Sequence, residues 1–303
     1  MNTMKLMSSA AAVAAALSLA ACATTASTTA PAAIKPPASA PAAKVDAALA
    51  QAVAGDWRSA EHKSRDADRH PVASLTFWGL KPGMTVIEVQ PGAEAWWTEI
   101  LAPYAARTNG KYIAGVADLN NPKISEAAKK ARADFEARFA DKGKYGAVGL
   151  TGFGPVSGPL GPANSADMVL SARSVHGWIR ANMVDKAFGD FYAVLKPGGV
   201  LAIEQHRAAP GGTDAKVMMD SGYVTEAFVI AAAEKAGFKL ADKSEINANL
   251  KDTKDHPFGV WTLPPIKRTS PFGQPDNPAF DRTKYDAIGE SDRMTLRFVK
   301  PKA

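Results

Sequence analysis

From residue 85 onward, short apolar runs alternate with longer amphipathic or charged stretches, and this order constrains the fold more than any other feature. Residues 85–89 form an apolar run bounded by Lys81-Pro82-Gly83 and Pro91-Gly92, both turn signals. Residues 95–106 follow as a helix, with Trp96, Ile100 and Leu101 on one face. A second strand is predicted at 112–116. Asn121-Pro122 then offers an N-cap and a first-turn proline for a charged helix reaching about Asp141. Strands are predicted at 147–151 and 168–171, and a helix at 183–195. Lys196-Pro197-Gly198-Gly199 turns this helix into a strand at 200–204. A helix at 225–236 closes at Gly237, and strands at 238–246 and 294–298 complete the pattern. Strands separated by helices of this length make a mostly parallel sheet covered on both faces, a doubly wound α/β fold. The one long irregular stretch, residues 247–292, falls between the last two strands, and such loops are usually functional.

Apolar residues make up 46% of the 303 and charged residues 22%, enough to build a core without metal or disulfide. The net charge of +6 is spread among alternating acids and bases with no Lys/Arg block, which argues against a nucleic-acid partner. Residues 10–21 are apolar, of signal-peptide length and too short to span a bilayer. They end in Leu19-Ala20-Ala21-Cys22, which resembles the lipobox of bacterial lipoproteins. Cys22 is the sole cysteine, placed where the lipid would be attached. The resemblance implies a signal peptide over 1–21, a membrane anchor through a lipid on Cys22, and a domain facing the periplasm or held at the outer membrane. Residues 23–43 are almost wholly Ala, Thr, Ser and Pro and read as a disordered tether. The expected division is 22–54 for lipidated Cys and tether, and 55–303 for the folded domain.

In open α/β sheets the ligand lies beyond the carboxyl ends of the strands, where strand order reverses. After the first strand the chain reads Glu88-Val89-Gln90-Pro91-Gly92-Ala93-Glu94, and later Leu195-Lys196-Pro197-Gly198-Gly199-Val200-Leu201. Both segments resemble motifs of the class I S-adenosylmethionine-dependent methyltransferases. Further segments at 97–104, 204–207, 245–249, 255–257 and 289–293 are similar to a group of bacterial methyltransferase-like proteins. The resemblance implies a Rossmann-like sheet of seven strands with the last antiparallel, and S-adenosylmethionine as cofactor. It places the cofactor along Glu88, Gln90, Gly92, Asp118 and Ser171, with Asp118 on the ribose hydroxyls. Gln90 and Glu94 stand where the class usually has glycines, and Glu94 is expected to bring a negative charge near the cofactor's carboxylate.

Three of the five histidines, His176, His206 and His256, follow predicted strands and so fall on the ligand side of the sheet. His176, Glu204 and His206 are the candidate catalytic residues for positioning or deprotonating a small-molecule acceptor. Asn247, Asn249, Asp255 and His256, at the start of the long loop, are the candidate substrate-binding residues. No HxxxH or HxH spacing points to a metal site. Three readings stand: a small-molecule methyltransferase, an exported binding protein that has lost the methyl donor, and, behind both, a metal-dependent periplasmic enzyme. The altered glycine loop and the export signal favour the second, and the family resemblance favours the first, which is the leading reading.

Overall fold

The computed structural model describes residues 46–302 except Thr213. The signal peptide, the lipobox at Cys22 and most of the expected tether lie outside the described residues.

Seven strands form one sheet: β1 (Thr85–Val89), β2 (Lys111–Val116), β3 (Val148–Gly152), β4 (Ala166–Ala172), β5 (Leu195–His206), β6 (Lys239–Ser244) and β7 (Arg293–Val299). Their order is β3-β2-β1-β4-β5-β7-β6, with β7 antiparallel to both β5 and β6 and the remaining pairs parallel. The doubly wound, mostly parallel sheet expected from the alternation is therefore present, including its antiparallel last strand. Four short helices precede it: α1 (Ala47–Ala54), α2 (Ala60–Ser64), α3 (Asp66–Arg69) and α4 (Pro71–Trp78). The rest are α5 (Thr98–Arg107), α6 (Glu126–Arg138), α7 (Lys142–Tyr145), α8 (Val175–Arg180), α9 (Val184–Val194), α10 (Ala215–Ser221), α11 (Glu226–Lys235) and α12 (Thr283–Ile288).

Alternation within each strand sends side chains to two cores, one on each face. In β1, Ile87 and Val89 join Val169, Phe188 and Phe191 on one face, whereas Val86 joins Trp97, Ile100 and Leu101 on the other. Trp78, Trp96 and Trp97 are buried together, with ring centroids 5.6 Å and 4.8 Å apart in edge-on pairs.

Several expected boundaries shift: β5 runs from Leu195 through the expected 196–199 turn to His206, and α5 starts at Thr98 rather than 95. The folded unit begins by Asp46 rather than at residue 55, because Leu49 and Ala52 make a buried i, i+3 pair within an alanine-rich stretch. Asp46 caps α1 at the Ala48 N–H, and its other oxygen accepts from the Tyr104 hydroxyl at 2.5 Å, fastening α1 to α5. The charged helix starts at Glu126, capped by Ser125, and not at Asn121. Asn121 instead accepts from the Lys123 N–H, a local turn that competes with helix initiation.

Candidate active site

The chain winds outward from β1 through β2 to β3, then crosses back to β4 on the other side of β1. Strand order thus reverses between β1 and β4, which opens a crevice at their carboxyl ends. Gln90 follows β1 and Arg173 follows β4, and both have left-handed backbones, at φ +53 and +62. Such conformations are costly for residues with side chains and gather at functional sites.

Two cavities flank this point. One, of about 340 Å³, is lined by the 90–94 loop, Arg173, Ser174, His176, His206, Trp261 and residues 264–266. The other, of about 400 Å³, is lined by Asp118, Phe153, Ser157 and Trp178 among others. Gln90 lines both, and its side-chain oxygen accepts from the Trp178 indole N–H at 2.8 Å. Asp118 follows β2, and one carboxylate oxygen accepts from the Asn120 N–H at 3.0 Å. A Cβ at residue 152 would lie 2.9 Å from the Asp118 carboxyl carbon, so only glycine at the end of β3 makes room for this acid.

His176 and His206 meet in the first cavity with ring centroids 6.1 Å apart, and Trp261 stands edge-on to His176 at 5.6 Å. Ser291 Oγ holds His206 Nδ1 at 2.6 Å. Burial pulls the His176 imidazole down to about 4, reinforced by Arg180 and Arg173. Burial also holds His206 well below the usual histidine range, with His176 and Arg173 adding repulsion. Both rings are neutral at pH 7, each with one donor and one acceptor nitrogen; His176 Nδ1 faces the Gln205 amide N–H at 3.5 Å, which leaves its Nε2 as the N–H.

The remaining predicted residues divide sharply. Gly92 lines the first cavity. Glu88 lines neither; its Oε2 accepts from the Thr98 and Tyr112 hydroxyls at 2.8 and 2.6 Å, beneath the loop rather than toward its backbone. Burial raises the Glu88 carboxyl to about 7. Ser171 is buried within β4 and lines neither cavity. Glu204 is fully buried on the opposite face from Ile203, 3.1 Å from Arg293, and does not reach the cavity beside its neighbour His206.

The start of the long loop is structural. Asn247 donates to Ser74 and Thr295, and Asn249 donates to the Ile288 and Glu290 carbonyls. Asp255 is exposed and bonded to Thr253. His256 is bonded to Asp252, which also accepts from the Tyr223 hydroxyl, outside the cavity of the other two histidines. Chain direction explains the difference: Asn247 turns back against α4 and β7, His256 packs between Tyr223 and Tyr285, and the loop reaches the cavity only at Val260, Trp261 and 264–266. Among the described residues no three His, Cys, Asp or Glu side chains gather as a metal centre.

Sequence reading also missed the arginines. Arg65 binds Glu94 at 2.6 Å and Glu290 at 2.6 Å. Arg69 and Arg293 bind Glu290 at 2.9 and 2.6 Å. Glu94 therefore does not offer a bare negative charge to the cavity, as its place in the loop suggested, because α3 is preceded by a guanidinium that neutralises it. Arg138 further fixes the loop by donating to the Glu94 carbonyl at 2.7 Å. No periodic signal marks Arg65, and only packing brings it to the loop after β1.

No family model and no curated protein matches the sequence. Solved structures do match. The 4+2 cyclase SpnF aligns over 84% of this chain and 92% of its own, at 16% identity and a TM-score of 0.50. A sarcosine dimethylglycine methyltransferase candidate from Galdieria sulphuraria aligns over 80% and 88%, at 14% identity and 0.50. A SAM-dependent methyltransferase from Aquifex aeolicus aligns over 61% and 87%, at 22% identity and 0.43. The fold is that of the class I methyltransferases. A methyltransferase-fold chain can serve other chemistry, as the cyclase's name illustrates, so the reaction has to be argued from the site.

Proposed function

We propose that this chain is an S-adenosylmethionine-dependent methyltransferase acting on a small molecule. The observation that carries the reading is the pair of cavities meeting at Gln90, one ending in the Asp118 carboxylate and the other in two neutral histidines. Asp118, with space held open by Gly152, suits the ribose hydroxyls of the cofactor. The turn from Gln90 to Gly92 would lie along its amino-acid portion. When bound, the cofactor supplies a sulfonium methyl group.

The chain's own contribution is alignment and desolvation, which dominate a displacement of this kind. The acceptor's heteroatom gains the methyl and gives up a proton. His206 accepts a hydrogen bond from that O–H or N–H and aims its lone pair, and His176 holds the acceptor from the same cavity wall. Held as low as about 4, His176 is too weak a base to keep the proton, so it orients the acceptor while the proton passes on to water.

One feature favours the rival reading of a binding protein without the methyl donor: the Gln90–Trp178 hydrogen bond stands between the cavities. Isothermal titration of the full chain with S-adenosylmethionine separates the two. Saturable one-to-one binding supports the enzyme, and absence of binding at millimolar cofactor supports the rival. We also propose that the domain is exported and lipid-anchored through Cys22. Labelled palmitate should enter the wild type and not Cys22→Ala, and a wild type that takes up no label would refute the anchor.

A further inference from the structure

One arginine behind the 90–94 loop, Arg173, has no carboxylate partner. Arg65, Arg69 and Arg293 meet Glu94, Glu204 and Glu290 at 2.6 to 3.1 Å, and Asp68 acts on Arg65 and Arg293 at longer range. Arg173 is a fourth cation. Its backbone N–H is pinned to the Glu204 carbonyl at 2.7 Å, which fixes where the side chain starts. Its guanidinium has no hydrogen bond and no carboxylate within 4 Å among the described residues, and its Nε is buried without a partner. Glu204 and Glu290 act on it only at longer range, and burial lowers its pKa from the ordinary guanidinium value. A half-buried, unpaired cation is an unfavourable arrangement in the free protein, and a bound anion relieves it. Arg173 lines the same cavity as the two neutral histidines.

We infer that Arg173 is the receptor for a carboxylate in the histidine cavity, and that the ligand there is a small organic acid bearing a hydroxyl or amine. This rests on the methyl-transfer reading only for the further step that the hydroxyl or amine is the methyl acceptor. A single guanidinium without a contacting carboxylate suits a monoanion. A phosphate dianion would be left with excess charge beside Glu94, whose side chain is 39% exposed at the rim. The neutral rings of His176 and His206 offer one donor and one acceptor nitrogen each, which suits a neighbouring hydroxyl or amine on the ligand. Trp261 and the prolines at 264 and 265 form the apolar wall, and about 340 Å³ limits the ligand to a small molecule.

The carboxylate could belong to a separate substrate or to the cofactor's amino-acid end, and the test distinguishes them. Full-length wild type, Arg173→Gln and Arg173→Lys would be titrated with lactate, 3-hydroxybutyrate and the three hydroxybenzoates, each beside its amide, following tryptophan fluorescence. A parallel arm would use S-adenosylmethionine and its methyl ester. The expected result is that at least one acid binds wild type about tenfold more tightly than its amide, the scale of one charge-assisted hydrogen bond. Arg173→Gln should erase that preference, Arg173→Lys should keep part of it, and neither should change the preference of S-adenosylmethionine over its ester. Wild type that does not distinguish acids from amides, or Arg173→Gln that still does, overturns the proposal. Loss confined to the S-adenosylmethionine arm overturns it too, by giving Arg173 to the cofactor. Acid binding that depends on Arg173 in a protein that never binds S-adenosylmethionine supports the carboxylate site and removes the methyl-transfer reading alone.

Discussion

The Trp178 indole N–H donates to the Gln90 side-chain oxygen at 2.8 Å, tying α8 to the end of β1 between the two cavities. Gln90 holds that bond from a left-handed backbone, at φ +53. A cofactor reaching from Asp118 to the 90–94 loop has to cross this point.

Gln90→Gly should therefore improve cofactor binding. The substitution loses one hydrogen bond, about 0.5–1.5 kcal/mol, and relieves left-handed strain of about 1–2 kcal/mol. Unfolding in urea should thus change by no more than about 1 kcal/mol, while S-adenosylmethionine should bind several-fold more tightly by calorimetry. Weaker binding would show that Gln90 holds the cofactor instead of barring it.

Glu88 makes stability depend on pH in a direction opposite to the histidines. Its folded pKa of about 7 exceeds the unfolded 4.5, so its contribution is full below 4.5 and fades as pH rises to 7, at most about 3 kcal/mol. Thr98, Tyr112 and Arg173 are the groups acting on it and moderate the rise without cancelling it. The histidines run the other way: with folded values below 6.5, they cost stability as pH falls from 6.5 toward 4. Glu88→Gln should flatten the decline between pH 5 and 7.5 in urea midpoints, leaving the acid-side loss intact. Parallel curves for wild type and variant would mean Glu88 is ionised in the fold.

Much of this architecture was legible in the sequence because periodicity reports burial. β1 was read at its observed ends, and β7 and α11 within a residue at each end, since each is an apolar run or amphipathic stretch closed by a turn or cap. The N-terminal helices were not legible: their alanine-rich or charged sequence resembles linker, and they are stabilised by packing on α5 and by arginine–carboxylate pairs distant in sequence. In the site, His176 and His206 were found because strand ends point to one edge. His256 was not distinguishable from them, because direction within a long loop leaves no periodic trace. Arg173 sits one residue beyond β4 and could have been suspected on position alone, yet only the paired charges around it show that it is left over.

Gly259 tests the wall of the histidine cavity. Its φ is +57, and a Cβ there would lie 2.3 Å from the Ser221 carbonyl oxygen. Gly259→Ala should cost about 2–4 kcal/mol from combined overpacking and backbone strain, seen as a lower urea midpoint. Because Trp261 lies two residues on, its fluorescence should shift as well. A loss below about 0.5 kcal/mol would mean this turn is free to move.

On the proposed function, the crevice between β1 and β4 holds S-adenosylmethionine with Asp118 on its ribose. The Asp118 carboxylate bonds only the Asn120 N–H among the described residues, so Asp118→Asn should fold normally. Calorimetric titration of S-adenosylmethionine into wild type and Asp118→Asn measures the claim directly. One-to-one binding to wild type is expected, weakened about tenfold or more in Asp118→Asn by the loss of charge-assisted hydrogen bonds. Equal affinity in the two proteins, or no binding to wild type, would contradict it.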